Sequence, residues 1–374
     1  MPSAPPTPTF PPLLTLISPA DRRRLLAWFK RHQRPMPWRE NRDPYRIWVS
    51  EVMLQQTTVA TVTPRFAAFL ARFPNVRTLA AADEQDVLRH WERLGYYSRA
   101  RNLHRAAKIL VAAHGNELPA DPRVWADLPG VGRYILGAVL SQAFDIRLPV
   151  VEANTRRVLA RLAANRGDLA LPATQRWLWE TATAILPRKN VGDFNQAMME
   201  LGATVCTVRE PDCPTCPLRG ACQTFQRGLQ HEIPVITKKT ATERVLEACA
   251  VFRRGDTVFL RQRGDSGRWA NMWEFPTREY QPPADAGAVV ADMANELKLL
   301  VVDAAPLMTL RYSVTRFRIQ MTCIEASCAA TIPEPAYDDN GRWVSLSELA
   351  DYPVRSSQRT LADALLHPLQ RELF

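Results

Sequence analysis

The stretch Leu128-Pro129-Gly130-Val131-Gly132, followed by the apolar-spaced run Tyr134–Phe144, decides how the first two thirds of the chain are read. One helical segment ends before it and another opens at Arg133, so two glycines stand beside a helix amino end and leave backbone N–H groups open to an anion. Alone, a Gly-x-Gly turn marks little more than a tight turn. Between two helices of a basic region, it points to a nucleic-acid phosphate. Outward from it, Arg65–Phe73, Ser98–Ala113 and Thr155–Ala164 carry apolar residues at helical spacing, and Pro64, Pro74, Gly95, Gly115, Pro129 and Pro187 separate such segments. Ser18-Pro19-Ala20-Asp21 has the marks of a helix start: a capping hydroxyl, a proline at the first helical position and an acid three residues after the cap. The spacing predicts an all-helical region from residue 21 to about Leu201.

The composition suits a globular chain of two or three domains and excludes a mainly disordered one, with 374 residues, 46% hydrophobic and 23% charged. The net charge of +10 is unevenly placed, because residues 1–231 hold 31 basic and 19 acidic side chains and residues 232–374 hold 17 and 19. A polyanionic partner is therefore expected on the helical part. No run approaches the roughly 18–20 apolar residues that cross a bilayer. Met1–Ile17 is rich in Pro and Thr, with no basic start and no continuous apolar core, so it does not read as a secretory signal. The expectation is an intracellular, cytoplasmic protein with no membrane partner.

A reducing compartment leaves seven cysteines to be explained without disulfides. Cys249, Cys323 and Cys328 are dispersed, whereas Cys206, Cys213, Cys216 and Cys222 form a Cys-x6-Cys-x2-Cys-x5-Cys cluster stiffened by Pro211, Pro214 and Pro217. Four thiolates in one loop suit either a tetrahedral zinc or a cubane iron–sulfur cluster, and soft sulfur ligands do not separate the two. Beyond the cluster, residues 231–243 are polar, lack helical periodicity, contain Pro234 and Lys238-Lys239, and read as a linker. After it, Val245–Arg253, Thr257–Arg261, Leu307–Tyr312 and Phe317–Glu325 read as strands around a helix-like stretch at Ala284–Leu299. Residues 244–374 are thus expected to form a smaller α+β domain, and residues 1–20 a Pro-rich leader.

Two carboxylates stand out. Glu51 lies in Trp48-Val49-Ser50-Glu51-Val52-Met53-Leu54-Gln55-Gln56-Thr57, between large apolar neighbours whose desolvation would raise its pKa and keep a proton available near neutrality. Glu152, between Pro149-Val150-Val151 and Ala153-Asn154-Thr155-Arg156-Arg157, sits where a helix would start. Most glutamates at such places are solvated caps.

Taken together, Ser50–Thr57, Leu94-Gly95-Tyr96-Tyr97-Ser98-Arg99, Leu128–Gly132, Asn154–Arg161 and the four-cysteine spacing resemble the adenine DNA glycosylases of the MutY type. Trp273-Glu274-Phe275-Pro276 looks like the start of that family's Nudix-like C-terminal domain, so the likeness runs from about residue 22 onward. It implies a mainly α helix–hairpin–helix glycosylase domain over residues 21–230, with the hairpin motif at about 124–145 and an iron–sulfur loop at 206–222, followed by an α+β Nudix-like domain. It also implies a [4Fe-4S] cluster on Cys206, Cys213, Cys216 and Cys222, and a monomer that acts on duplex DNA carrying adenine opposite 8-oxoguanine or guanine.

By the same likeness Glu51 matches the acid that protonates the departing adenine, with Tyr134, Glu152 and Asn154 completing the catalytic group. Gln56 and Tyr96 match residues that fill the space left by a flipped nucleotide, Thr57 lies near the lesion base, and Gly130, Val131 and Gly132 hold the backbone. Relatives that also cut the strand, resembling endonuclease III, use a lysine amine after the Gly-x-Gly turn. This chain has Tyr134 there, which implies a monofunctional glycosylase.

The chain departs from the family pattern at two places. Glu152-Ala153-Asn154 stands where the family has Asp-Gly-Asn, and the extra methylene moves the carboxylate by roughly 1.5 Å if nothing adjusts, enough to cost on the order of a hundredfold in rate. Val314-Thr315-Arg316 stands where Phe-Ser-His is usual; Thr315 keeps a hydroxyl for the lesion and Arg316 brings a permanent cation. Ala291–Leu299 offers little acid beyond Glu296, so pyrophosphate hydrolysis is not expected. Two other readings remain open on sequence: a non-catalytic lesion-binding protein that lost turnover through Glu152, and an endonuclease III-like glycosylase/lyase.

Overall fold

The computed structural model describes residues 16–236, 241–329 and 340–367. Most of the leader expected at 1–20, and residues 237–240 of the expected linker, lie outside the described residues. The chain divides into two compact units, Met1–Ala80 with Arg105–Lys239 and Ala81–His104 with Thr240–Phe374. Among the described residues, no helix is long and apolar enough to cross a membrane.

The first unit is helical. Its opening helix, Pro19–His32, starts as its sequence requires: the Asp21 amide donates to Ser18 Oγ at 3.2 Å and the Ser18 amide to Asp21 Oδ2 at 2.8 Å. Helices Pro44–Leu54 and Arg133–Phe144 follow, and Ala153–Leu162, Pro172–Ile185 and Val191–Thr204 pack with the opening helix around buried Leu25, Phe29, Leu159, Trp177, Phe194 and Leu201. Each such side chain removed from water stabilises the unit by about 1.5–3 kcal/mol.

Two glycines let these helices approach. A Cβ at Gly137 would stand 2.2 Å from the Pro149 carbonyl oxygen, and one at Gly192 would stand 2.4 Å from that of Ser141. Pro64 corrects the sequence reading: it lies inside the Val59–Arg72 helix and separates nothing. The carbonyl it deprives of an amide partner belongs to Ala60, an exposed residue in the first turn of that helix.

Among the described residues, the second unit is built on a sheet of seven strands: β1 Glu243–Arg254, β2 Thr257–Gln262, β3 Trp273–Glu274, β4 Thr277–Tyr280, β5 Val301–Val314, β6 Phe317–Cys328 and β7 Gly341–Ser345. The main path runs β3-β2-β1-β6-β5, with β4 on β1 and β7 on β2. β1 and β6 pair in parallel, Cys249 opposite Cys323, and the other pairings are antiparallel. Alternation along β1 separates two cores. Ala248, Ala250 and Phe252 meet the Ala286–Glu296 helix, while Cys249 and Val251 share the opposite core with Leu361 and Leu365 of the Ser356–Leu366 helix.

Ala81–His104, which chain order sets inside the helical region, packs with this sheet unit. Arg359 Nε donates to Glu92 Oε1 at 2.6 Å and Asn271 Nδ2 to Glu84 Oε1 at 2.9 Å.

Candidate active site

Glu51 sits on the Pro44–Leu54 helix, started by Asp43, whose carboxylate accepts from the Tyr45 amide at 2.8 Å. Large apolar neighbours on that helix are buried with it, and Glu51 itself is 3% exposed. Its two oxygens are bracketed by side chains of the Arg133–Phe144 helix: the Tyr134 hydroxyl donates to Oε2 and Gln142 Nε2 donates to Oε1 at 2.8 Å. Burial pushes the Glu51 carboxyl above its ordinary value, against the pull of the Tyr134 and Gln142 hydrogen bonds and the Arg39 charge. Burial, then the Glu51 charge, holds the Tyr134 hydroxyl well above the usual phenol range, so it stays a donor.

Glu152 caps the Ala153–Leu162 helix. Its carboxylate accepts from the Asn154 amide at 2.8 Å and the Thr155 amide at 2.9 Å, and its own amide donates to Thr155 Oγ1 at 2.7 Å. The cap is only partly open to water, unlike most glutamates at helix starts. Burial raises its pKa; the two amides and Arg157 oppose the rise, and the charge of Glu51 adds to it. The two carboxyls therefore sense each other, and the fold brings Glu51, Tyr134 and Glu152 together from three separate segments. Asn154 is joined to the group through its amide, while its Oδ1 accepts from Arg157 Nη2 at 2.9 Å.

The same helix grips the cysteine loop. Arg157 donates to the carbonyls of Cys206 at 2.8 Å and Gly202 at 2.7 Å. Arg161 donates to the carbonyls of Thr207, Val208, Gln230 and Ile233 and lies 3.4 Å from Cys206 Sγ. Cys206, Cys213, Cys216 and Cys222 line one cavity with Arg161. Burial raises the thiol pKa of Cys213, of Cys216 (to about 12) and of Cys222, and thiolate charge on Cys206 adds to each rise. Among the described residues, no three His, Cys, Asp or Glu side chains come together as the ligands of a single metal ion. What the four sulfurs share is a cavity wall, which the Arg161 guanidinium also lines.

The turn read at 128–132 joins helices Pro122–Ala126 and Arg133–Phe144. Gly130 takes φ +77°, Val131 is buried, and exposed Gly132 caps the second helix without a side-chain bond, leaving its first amides open. Gln56 has φ +56° and is exposed, and Thr57, beside it, is half-buried. Left-handed backbone costs a non-glycine residue about 1 kcal/mol or more, and such strain gathers at functional sites.

In the sheet unit Tyr96 has φ +46° and is 41% exposed. Thr315 and Arg316 form a two-residue hairpin tip between β5 and β6, where Thr315 has φ +52°. Tyr96 and Thr315 line one cavity with Arg268, Trp269 and Tyr312. Arg316 pairs with Glu243 at 3.0 Å.

Sequence reading missed Gln142, Arg39, Arg157 and Arg161. The signal for Gln142 was an amide in the run Ile135–Phe144, where Ser141 is the one other polar side chain; that for Arg157 and Arg161 was two arginines four apart among buried Val158, Leu159 and Leu162. Arg39 reaches Glu200, whose Oε2 accepts from Arg39 Nη2 at 2.9 Å while Oε1 accepts from Arg34 Nε at 2.6 Å. Burial opposes the ionisation of Glu200, and the two arginines outweigh it.

The helical unit and the sheet unit each match a known family, the first one of base excision DNA repair proteins. The profile of the HhH-GPD superfamily of base excision DNA repair proteins matches residues 49–182, and that of the NUDIX domain matches 248–364. The chain is 33% identical over 253 residues to an adenine DNA glycosylase of Buchnera aphidicola subsp. Schizaphis graminum, covering 67% of this chain and 73% of that protein. It is 35% identical over 315 residues to that of Mus musculus, covering 70% of this chain but 61% of the mouse protein's length. A Mycobacterium tuberculosis relative of the same name is 43% identical over 195 residues, covering 52% of this chain and 64% of that one. The chain belongs to the adenine DNA glycosylase family.

Proposed function

We propose that this protein hydrolyses the N-glycosidic bond of adenine mispaired with 8-oxoguanine or guanine in duplex DNA, acting as a monomer and without cutting the strand. The observation that carries the reading is the desolvated Glu51 carboxyl, held between Tyr134 and Gln142 with Glu152 close by. Breaking this bond leaves an anionic base and an oxocarbenium-like sugar. A carboxyl that keeps its proton near neutrality can protonate the base as the bond breaks, and a second carboxylate stabilises the sugar's positive charge. Glu51 suits the first task and Glu152 the second.

Flipping adenine out of the stack costs a few kcal/mol. In the helical unit the open amides at Gly132, with Gln56 and Thr57, offset that cost; in the sheet unit Tyr96 and Thr315 are the candidate DNA contacts. Tyr134 occupies the helix where a Schiff-base lysine would stand, and the Arg133–Phe144 helix contains no lysine. Cys206, Cys213, Cys216 and Cys222 fit a [4Fe-4S] cluster, which when bound would supply a rigid anchor for the loop that Arg157 and Arg161 grip. Iron and acid-labile sulfide near four each per chain would support that assignment, and zinc at one per chain would overturn it.

The deciding experiment is single-turnover adenine release from duplexes carrying adenine opposite 8-oxoguanine, guanine or thymine. Release opposite the first two, lost in Glu51→Gln, is expected. Tight binding to those duplexes with no base release would favour the non-catalytic reading, and high-yield borohydride trapping of a covalent enzyme–DNA adduct would overturn the monofunctional one.

A further inference from the structure

We propose that Gln142 is a positioning residue that sets the orientation and proton affinity of Glu51; this rests on the adenine-releasing reaction proposed above. Gln142 is 5% exposed and sits eight residues, a little over two turns, beyond Tyr134 on the same helix. Its Nε2 donates to Glu51 Oε1 at 2.8 Å, while the Tyr134 hydroxyl takes Oε2. Two donors on opposite oxygens stop the carboxyl from rotating, so its proton is delivered in one direction. Both bonds are made to acceptor lone pairs and are strongest when Glu51 is ionised.

Gln142 thus works against the burial that raises the Glu51 pKa, and it does so without adding a charge. The other ionisable groups that act on this carboxyl are Tyr134, Glu152 and Arg39. None of them duplicates a neutral donor at Oε1.

Gln142→Met keeps the length of the side chain and removes the donor; Gln142→Leu is the second variant. Since general acid catalysis needs the protonated carboxyl, the alkaline limb of the single-turnover pH profile reports Glu51. In either variant its midpoint should move upward by about one pH unit. The plateau should fall several-fold as the carboxyl gains rotational freedom. An unmoved or lowered midpoint would overturn the assignment.

The wild-type protein supplies a readout that needs no turnover and leaves Gln142 in place. The Gln142 side-chain amide resonances should titrate with the Glu51 carboxyl carbon and stay fixed in Glu51→Gln. Amide resonances that ignore the Glu51 titration would also overturn the proposal. If wild type releases no adenine, the functional reading falls while this titration still decides the role of Gln142.

Discussion

At the scale of the residue, burial makes Glu51 hold its proton more tightly in the folded chain than in the unfolded one. Between the ordinary carboxyl value and the raised one, the native state binds more protons, so stability is full below that window and falls as pH rises through it. Glu51→Gln removes this loss. Its melting temperature should exceed that of wild type above the window and converge with it below, and equal pH dependence of the two melting curves would count against a desolvated Glu51. The same substitution should slow adenine release by about 10²–10⁴-fold with duplex binding retained, measured in single turnover. Glu152→Gln keeps the cap's shape and removes its charge, so release should slow while the fold survives; a rate equal to wild type would refute the sugar-side role. Glu51 and Glu152 stood out in the sequence because each sits in a local motif, and Tyr134 was singled out only by likeness to the family. Gln142, Arg39 and Arg157 were not, because their partners lie 45 or more residues away in sequence and only packing brings them near.

At the scale of the element, the Ala153–Leu162 helix carries Glu152 at its start and Arg157 and Arg161 along its length. Its position depends on Gly202 of the Val191–Thr204 helix, where an added Cβ would stand 2.6 Å from Asn154 Cβ. Gly202→Ala should therefore lower stability by about 1–3 kcal/mol and slow adenine release by shifting the Glu152 cap; denaturant unfolding and single-turnover rates check both. Helix starts such as Ser18–Asp21 were readable because caps act within four residues. Pro64 was misread because its cost depends on whether Ala60 faces water, which the local sequence does not state.

In the sheet unit, Arg355 Nη2 donates to Glu247 Oε2 at 2.8 Å, and the two are 3% exposed. Removing one member of a buried ion pair strands the other, so Arg355→Met should destabilise this unit by about 3–5 kcal/mol, read from urea unfolding followed by tryptophan fluorescence.

At the scale of the whole molecule, the proposed function together with the excess of basic over acidic side chains in residues 1–231 predicts that phosphate neutralisation is the main source of affinity for duplex DNA. The logarithm of the binding constant should fall linearly with the logarithm of salt concentration, by about tenfold or more between 50 and 200 mM; fluorescence anisotropy measures the slope, and a flat response would contradict this charge assignment. Nearest-neighbour patterns and fixed helical and strand periods were enough to read the two domain types, the glycine turn, the cysteine spacing and a carboxyl among apolar neighbours at Glu51. Packing was needed to learn that Ala81–His104 joins the sheet unit, that Glu152 is a partly sheltered cap, and that Gln142 and Tyr134 hold Glu51 between them. The physical reason is that proton affinity depends on desolvation and on donors and charges within a few ångströms, and those neighbours are assembled from distant parts of the chain only when it is packed.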